Sequence, residues 1–155
     1  MHLLFTGGQG VGKSTLIDRM LRLTRRPVYG FRTEKVPAAG GAWDAVVYIH
    51  GACANKAYSD ANTIGVIKSR GAKANPGVFD TLGVKLLSDI PAGSLVLMDE
   101  LGFLESEAKL FCAKVMEILD GDYDVIAAVK KRDTPFLSSV LSHHNASVYE
   151  ISGNY

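Results

Sequence analysis

The chain has 155 residues, 47% of them hydrophobic, and its 17 basic and 16 acidic residues give a net charge of +1, a balance without a strong signal for nucleic acid. No apolar run approaches the roughly 20 residues that span a bilayer, and Cys53 and Cys112 are too few for a disulfide framework. We therefore expect residues 1–155 to form a single domain of a cytoplasmic protein that does not enter a membrane.

The first half of the chain begins with a strand and a helix and continues as a β-rich stretch. Residues 2–6 (HLLFT) are an apolar run that ends in glycines, which is typical of a buried strand. A helix is predicted over residues 13–24, and Pro27 is expected to stop it from continuing. The glycine-rich segment 37–42 separates two strands and predicts a hairpin with a longer loop. The other elements predicted here are strands at 28–35, 43–50 and 63–68, a loop at 69–78 and a helix at 80–89.

The second half alternates strands and helices more regularly. Its predicted elements are strands at 94–98, 123–129 and 147–151, a helix at 104–119 and a helix that opens at Thr134. Glu105 and Lys109 have the i,i+4 spacing of a helical ion pair, and Thr134 and Pro135 are a capping hydroxyl and a first-turn proline. The order of elements predicts a three-layer α/β fold around a mostly parallel sheet, with a β-hairpin insertion.

Residues 7–14 (GGQGVGKS) match the phosphate-loop pattern G-x-x-x-x-G-K-[ST]. Glycines let the backbone wrap an anion, and the inward N–H groups and the next helix N-terminus attract its charge. In this pattern Lys13 reaches the β- and γ-phosphates, Ser14 ligates Mg²⁺ and Thr15 bonds the α-phosphate. We therefore predict a nucleoside triphosphate as ligand and Mg²⁺ as cofactor. The nucleotide-binding residues are expected to be Gly7, Gly8, Gln9, Gly10, Val11, Gly12, Lys13, Ser14 and Thr15.

Two carboxylates, Asp99 and Glu100, follow the apolar residues 95–98 at the predicted end of a strand. Open α/β sheets bind ligands at the carboxyl ends of their strands, so both side chains are expected near the phosphate loop. Asp99 suits a Mg²⁺ ligand shared with Ser14, and Glu100 suits a general base for an attacking water. The alternative is a solvated strand end. The candidate catalytic residues are Lys13 and Glu100.

Charged side chains also follow two other predicted strands. Arg32 and Glu34 lie at the end of the second strand, where they would meet a γ-phosphate or an acceptor, or else form a solvated hairpin edge. The basic turn 130–132 (KKR) follows the strand at 123–129. Arg132 has the position either of an arginine finger that stabilises transition-state charge or of a solvated basic residue.

Several segments together resemble the THEP-type small nucleoside-triphosphatases, a family that includes the cancer-related nucleoside-triphosphatases. The resembling segments are GGQGVGKSTLIDRM, VYGFRTEKV, VLMDELGFLES, DVIAAVKKRDTPFLSSV and YEISGN, and the similarity is loose between residues 44 and 78. The resemblance implies a RecA-like P-loop domain that hydrolyses ATP, GTP and other nucleoside triphosphates with Mg²⁺ and little base discrimination. It also implies a nucleotide contact near the C-terminal segment, which reads Ser152-Gly153-Asn154-Tyr155 and lacks the family's arginine.

Three functions are compatible with these motifs. The first is a nucleoside-triphosphate hydrolase, which the glutamate beside the metal-site aspartate favours. The second is a nucleotide or small-molecule kinase with an acceptor in a second pocket, although no arginine-rich lid follows residues 104–119. The third is a nucleotide-dependent switch whose slow hydrolysis times the binding of a partner.

Overall fold

The structure is a computed structural model, and it describes residues 1–152. The described part of the chain forms eight strands and five α-helices. The strands are β1 (His2–Gly7), β2 (Val28–Pro37), β3 (Ala45–Gly51), β4 (Thr63–Lys68), β5 (Gly71–Ala74), β6 (Leu95–Leu101), β7 (Asp124–Lys130) and β8 (Ala146–Glu150). The helices are α1 (Lys13–Leu23), α2 (Pro76–Val78), α3 (Val84–Leu86), α4 (Lys109–Asp120) and α5 (Pro135–Leu141).

All eight strands form one sheet in the order β5-β4-β3-β2-β6-β7-β1-β8. Five neighbouring strands of this order are parallel to one another, namely β2, β6, β7, β1 and β8. The sheet continues beyond β2 as an antiparallel meander of β3, β4 and β5. The phosphate-loop strand β1 and the acidic strand β6 are separated by β7. The carboxyl ends of the parallel strands therefore meet at one edge, where the candidate site lies.

Helices cover both faces of the sheet. On one face, Ile17 and neighbouring residues of α1 pack with Phe5 and Leu97 in a small core. On the other face, a larger core includes Phe31, Phe111 and residues from α4 and α5. The predicted three-layer α/β fold is confirmed. Among residues 1–152, no helix combines the length and the apolar character needed to cross a membrane.

The insertion is larger than the predicted hairpin. β2 and β3 pair antiparallel as expected, but the predicted loop at 69–78 is wrong, because β5 returns from β4 through a turn in which Gly71 has a φ of +129°. Three of the four residues of β5 are exposed. An exposed edge strand of small and charged residues has no hydrophobic alternation, so its sequence pattern is that of a loop.

Two helices differ from their predicted bounds. The helix expected at 80–89 starts earlier, since α2 continues through a π-helical turn (Phe79–Gly83) into α3. The helix expected at 104–119 starts later, at Lys109, because residues 104–107 form a turn. The carboxylate of Asp80 accepts a hydrogen bond from the Phe111 N–H at 2.9 Å, which satisfies one of the free donors at the start of α4. The N-terminus of α4 is therefore set by a contact from another element.

Strand β6 extends beyond its predicted end at Met98. It runs to Leu101, and its pairing register with β7 shifts between Asp99 and Leu101. In a regular strand, consecutive side chains point to opposite faces. The register shift interrupts this alternation at the two carboxylates, and it matters for the site described below.

Gly30 provides a test of the close packing between β2 and β6. Its φ is +106°, and a Cβ atom at this position would collide with the carbonyl oxygen of Leu97. We expect Gly30→Ala to lower the free energy of unfolding by more than about 3 kcal/mol, because both the backbone conformation and the contact oppose a side chain. Urea unfolding followed by circular dichroism measures this loss.

The matched control is Gly40→Ala in the β2–β3 loop. Gly40 also has a positive φ, +125°, but a Cβ atom there would meet nothing within 4 Å. Gly40→Ala should lower the free energy of unfolding by only about 1 kcal/mol, because only the backbone conformation opposes a side chain there. Equal losses for the two variants would show that the contact with Leu97 is not the cause.

Candidate active site

The predicted phosphate loop connects the end of β1 to the start of α1. Gly10 and Gly12 have φ values of +74° and +100°, a backbone region that favours glycine. Gly7 lies against the residue that follows β8, where a Cβ atom would collide with the carbonyl oxygen of Ile151. The loop lines a cavity of about 290 Å³, whose wall is completed by Glu100 and Lys130. The loop residues in this cavity are Gln9, Gly10, Val11, Gly12, Lys13, Ser14 and Thr15.

Lys13 is held at the centre of the loop. Its ammonium group donates hydrogen bonds to the carbonyl oxygens of Gly7 at 2.9 Å and Gly8 at 3.1 Å. A carboxylate oxygen of Glu100 lies 3.6 Å from the same nitrogen. The lysine side chain is 7% exposed, so its charge faces the cavity from a nearly buried position.

Ser14 and Asp99 lie together, as the sequence predicts for a shared metal site. The Ser14 hydroxyl donates to Asp99 Oδ1 at 3.1 Å, and Arg32 Nη1 donates to Asp99 Oδ2 at 3.1 Å. The other guanidinium nitrogen of Arg32 donates to Asp18 at 2.6 Å. Burial raises the pKa of Asp99 above its ordinary value, while Arg32 and the Ser14 hydroxyl act in the opposite direction.

Glu100 lies between two ammonium groups. Its Oε2 is 3.6 Å from Lys13 Nζ, and its Oε1 is 3.7 Å from Lys130 Nζ. The Glu100 N–H donates to Thr33 Oγ1 at 3.3 Å, which ties the irregular end of β6 to β2. Two adjacent residues of one strand thus both contact residues of the phosphate loop, Asp99 through Ser14 and Glu100 through Lys13.

Lys130 is a site residue that the sequence pattern did not single out. It is the last residue of β7, pairs with Gly7 of β1 and lines the phosphate cavity. Arg132 lies outside this cavity, with its guanidinium carbon 4.2 Å from the centre of the Phe103 ring. The pairing register of β7 with β1 places Lys130, and not Arg132, in the cavity wall. The sequence of the basic turn alone does not predict which of its residues lies there.

Arg32 and Glu34 line one cavity with Ser14 and Asp99, but their side chains have different partners. Arg32 reaches Asp99, whereas Glu34 accepts hydrogen bonds from Lys56 at 2.9 Å and His50 at 3.3 Å. Hydrogen bonds hold the pKa of Glu34 below its ordinary value; the largest cause is the bond from Lys56, followed by that from Tyr58, and His50 contributes least. Only Arg32 of this pair is in direct contact with the phosphate-loop and carboxylate cluster.

The site combines a glycine-rich loop, a lysine and carboxylates at the edge of a three-layer α/β sheet. This combination defines the class of P-loop nucleotide-binding proteins. Within that class, a family model described as NTPase matches residues 2–154. The chain belongs to this family of nucleoside-triphosphatases, and the resemblance seen in the sequence is confirmed.

Relatives agree with this assignment over nearly the whole chain. The nucleoside-triphosphatase THEP1 of Thermotoga petrophila is 30% identical over 156 residues, which cover 98% of this chain and 84% of the relative. The crystal structure of THEP1 from Aquifex aeolicus has a TM-score of 0.76 at 24% identity and covers 98% of this chain and 90% of that one. The solution structure of a human cancer-related nucleoside triphosphatase has a TM-score of 0.71 at 18% identity, with 99% and 89% covered. At these identities the two structures support the fold.

Glu105 is a buried carboxyl group close to the site. Its side chain is 2% exposed and accepts a hydrogen bond from the Gly102 N–H, so it lies in the turn before α4 and not in the predicted ion pair with Lys109. Burial raises the pKa of Glu105 from its ordinary value of 4.5 to about 7. This carboxyl group therefore holds a proton in the folded protein at pH values where the unfolded chain has lost it.

The raised pKa predicts a pH-dependent effect of Glu105→Gln. Between pH 4.5 and 7 the folded state binds more protons at this site, so the wild-type free energy of unfolding falls as the pH rises. Glutamine does not titrate. The free energy of unfolding of Glu105→Gln, relative to that of the wild type, should therefore increase by up to about 3 kcal/mol from pH 4 to pH 8. Urea unfolding at both pH values measures this change.

Glu107→Gln is the control for this effect. Glu107 belongs to the same turn, but its side chain is exposed, so no comparable gain is expected. A gain of equal size in both variants would contradict burial as the cause.

Proposed function

We propose that the protein catalyses Mg²⁺-dependent hydrolysis of nucleoside 5′-triphosphates to the diphosphate and inorganic phosphate, with water activated by Glu100. The observation that carries this proposal is the position of the Glu100 carboxylate. It lies at the wall of the phosphate-loop cavity, between the ammonium groups of Lys13 and Lys130. We further propose that residues 1–155 act as one nucleoside-triphosphatase domain.

Phosphate binding is assigned to the loop from Gly7 to Thr15. Its backbone N–H groups and the N-terminus of α1 offer positive charge to phosphate oxygens. Lys13 supplies a full charge for the β- and γ-phosphates from its nearly buried position. Thr15 lines the same cavity and is assigned to the α-phosphate.

The donor set at Ser14 and Asp99 fits Mg²⁺. A hydroxyl oxygen and a carboxylate oxygen lie 3.1 Å apart, and oxygen is the ligand that Mg²⁺ prefers. Residues 1–152 contain no group of three or more His, Cys, Asp or Glu side chains able to hold a metal. The remaining ligands would be phosphate oxygens and water. Bound there, Mg²⁺ would neutralise charge on the β- and γ-phosphates, and Arg32 would orient the Asp99 carboxylate.

Glu100 is assigned the role of general base. Its carboxylate would orient a water against the γ-phosphorus and accept the proton as the water oxygen bonds to phosphorus. The bond from the γ-phosphorus to the bridging oxygen breaks, and the diphosphate leaves. Lys130, 3.7 Å from Glu100, would stabilise the negative charge that develops on the γ-phosphoryl oxygens.

We propose broad tolerance for the base. The sequence has no N-K-x-D pattern, the motif expected of a guanine-reading site, and its relatives are named for nucleoside triphosphates without a particular base. In the C-terminal segment, where the resemblance implies a nucleotide contact, Asn154 lies outside the described residues.

Phosphate release from ATP, GTP, CTP and UTP tests the reaction and its base tolerance. We expect the catalytic efficiencies for ATP and GTP to differ by less than about tenfold, or roughly 1.4 kcal/mol. EDTA should abolish phosphate release without changing the circular dichroism spectrum, because the metal completes the substrate site and not the core. Full activity in EDTA, or a preference of several hundredfold for one base, would contradict the proposal.

Glu100→Gln separates water activation from nucleotide binding. The amide keeps the size of the side chain but removes the base, so single-turnover hydrolysis should fall by about 10²–10⁴-fold. Nucleotide affinity should persist or increase, since a negative charge near the γ-phosphate is lost. Asp99→Asn should instead weaken Mg²⁺-dependent binding as well as the rate.

Glu107→Gln makes the same chemical change at an exposed position of the adjoining turn. It should leave both the rate and the nucleotide affinity unchanged. A near-wild-type rate for Glu100→Gln would place water activation on another residue.

A further inference from the structure

Four side chains form a closed ring of contacts on the metal side of the site. The Ser14 hydroxyl donates to Asp99 Oδ1 at 3.1 Å, and Arg32 Nη1 donates to Asp99 Oδ2 at 3.1 Å. Arg32 Nη2 donates to Asp18 Oδ1 at 2.6 Å. Asp18 is linked back to Ser14 through α1, because residues four apart on a helix lie on the same face. The proposed function gives a role to each of these residues except Asp18.

Arg32 is held between two carboxylates, one from the sheet and one from α1. It lies opposite Asp99 in the ladder between β2 and β6. Each terminal nitrogen of its guanidinium group binds one of the two carboxylates. The guanidinium group is a planar fork that presents its donors in fixed directions. A fork that is bound at both ends has little freedom to rotate, so Asp18 fixes the group that holds Asp99.

The two oxygens of Asp99 face different partners. Oδ2 accepts from Arg32, whereas Oδ1 accepts from the Ser14 hydroxyl, where the proposed Mg²⁺ would bind. The Asp99 side chain is only 7% exposed, so its orientation depends on protein groups more than on water. Residues that hold a ligand in this way contribute to the affinity for the metal. The hydrogen bond from Arg32 therefore directs Oδ1 toward the cation.

The charge of Arg32 also bears on metal binding. A guanidinium group beside a ligand carboxylate repels a divalent cation and competes with it for the negative charge of Asp99. The Asp18 carboxylate compensates this positive charge at the other end of the guanidinium group. Without the charge of Asp18, Arg32 would draw more strongly on Asp99. Orientation and charge thus act in the same direction, and both favour the cation when Asp18 is ionised.

A cavity of about 700 Å³ lies on this side of the site, and all four residues of the ring line it. Mg²⁺ usually keeps several waters in its shell, and the cavity provides space for them beside Ser14 and Asp99. Asp18 is 47% exposed, and among the described residues it does not belong to the wall of the phosphate cavity. Asp18 is therefore placed to act on the metal and not on the phosphate groups.

We propose that Asp18 is a positioning residue for the divalent cation and that it raises the affinity of the metal site through Arg32. Asp18 holds the guanidinium group, the guanidinium group orients Asp99, and Asp99 binds the cation together with Ser14. This proposal rests on the Mg²⁺ site of the proposed function, to which it adds a residue that does not touch the metal.

Titration of the ADP complex with Mn²⁺ measures this affinity without turnover. Mn²⁺ accepts the same oxygen ligands as Mg²⁺, and the electron paramagnetic resonance signal of the hydrated ion weakens when the ion binds. The protein is kept in excess over ADP, so that the nucleotide is bound. We expect Asp18→Asn to raise the Mn²⁺ dissociation constant by about tenfold, the lower end of the effect of residues that support metal ligands.

A double-mutant cycle shows whether Asp18 acts through Arg32. Arg32→Gln removes the group by which Asp18 reaches Asp99. In that background, Asp18→Asn should therefore change the Mn²⁺ dissociation constant by less than about twofold. An equal loss of affinity in both backgrounds would mean that the charge of Asp18 attracts the cation directly, and this result would overturn the proposal.

Asp122→Asn is the control for the change in net charge. Asp122 is exposed and precedes β7, at the edge of the sheet opposite the site, so its variant should bind Mn²⁺ as the wild type does. Asp18→Asn should keep a cooperative thermal unfolding transition and its affinity for ADP without metal. A loss of metal-free ADP affinity as large as the loss of Mn²⁺ affinity would indicate a disturbed phosphate loop and would contradict the proposal.

The outcomes separate this proposal from the proposed function. If the wild-type complex holds Mn²⁺ no more tightly than ADP alone does, the metal site of the proposed function is refuted, and the role of Asp18 with it. If the wild-type complex holds Mn²⁺ more tightly and Asp18→Asn binds the ion equally well, the role of Asp18 alone is refuted.

Discussion

The site depends on the compensation of charge at Asp99 and Glu100, two adjacent carboxylates at the end of a buried strand. Burial is the largest cause that raises the pKa of Asp99, and the Glu100 charge adds to it, so the carboxylates need compensating partners. Asp99 has the Arg32 guanidinium and the Ser14 hydroxyl, and Glu100 has the Lys13 and Lys130 ammonium groups. The irregular register of β6 directs the two carboxylates toward different partners.

The strand order determines which groups are available for this compensation. β6 lies between β2 and β7, and β7 lies beside β1. Arg32 is therefore opposite Asp99 in the ladder, while Lys130 comes from the end of β7 and Lys13 from the loop that follows β1. Parallel strands bring all these carboxyl ends to one edge. The same topology that buries the sheet on both faces thus gathers the charges at one edge.

Local sequence patterns predicted the part of the site that is encoded locally. The phosphate loop, the Ser14 and Asp99 proximity and the three-layer fold follow from motifs and from the alternation of elements. The difference between Lys130 and Arg132 depends on how β7 is aligned with β1, which no local pattern contains. Likewise, the start of α4 depends on Asp80, which lies 31 residues before its hydrogen-bond partner Phe111. These features required tertiary contacts.

The phosphate cavity adjoins a second cavity of about 230 Å³, and the walls of this second cavity come from both parts of the sheet. Lys13, Asp99 and Glu100 belong to the parallel core or to the loop that follows it, whereas Val47 and Ile64 belong to the antiparallel insertion. Substitutions at Val47 or Ile64 therefore change the shape of the second cavity, while the partners of the two carboxylates, on the parallel core and its loops, stay in place. The fold thus separates the groups that handle phosphate from neighbouring walls that can vary.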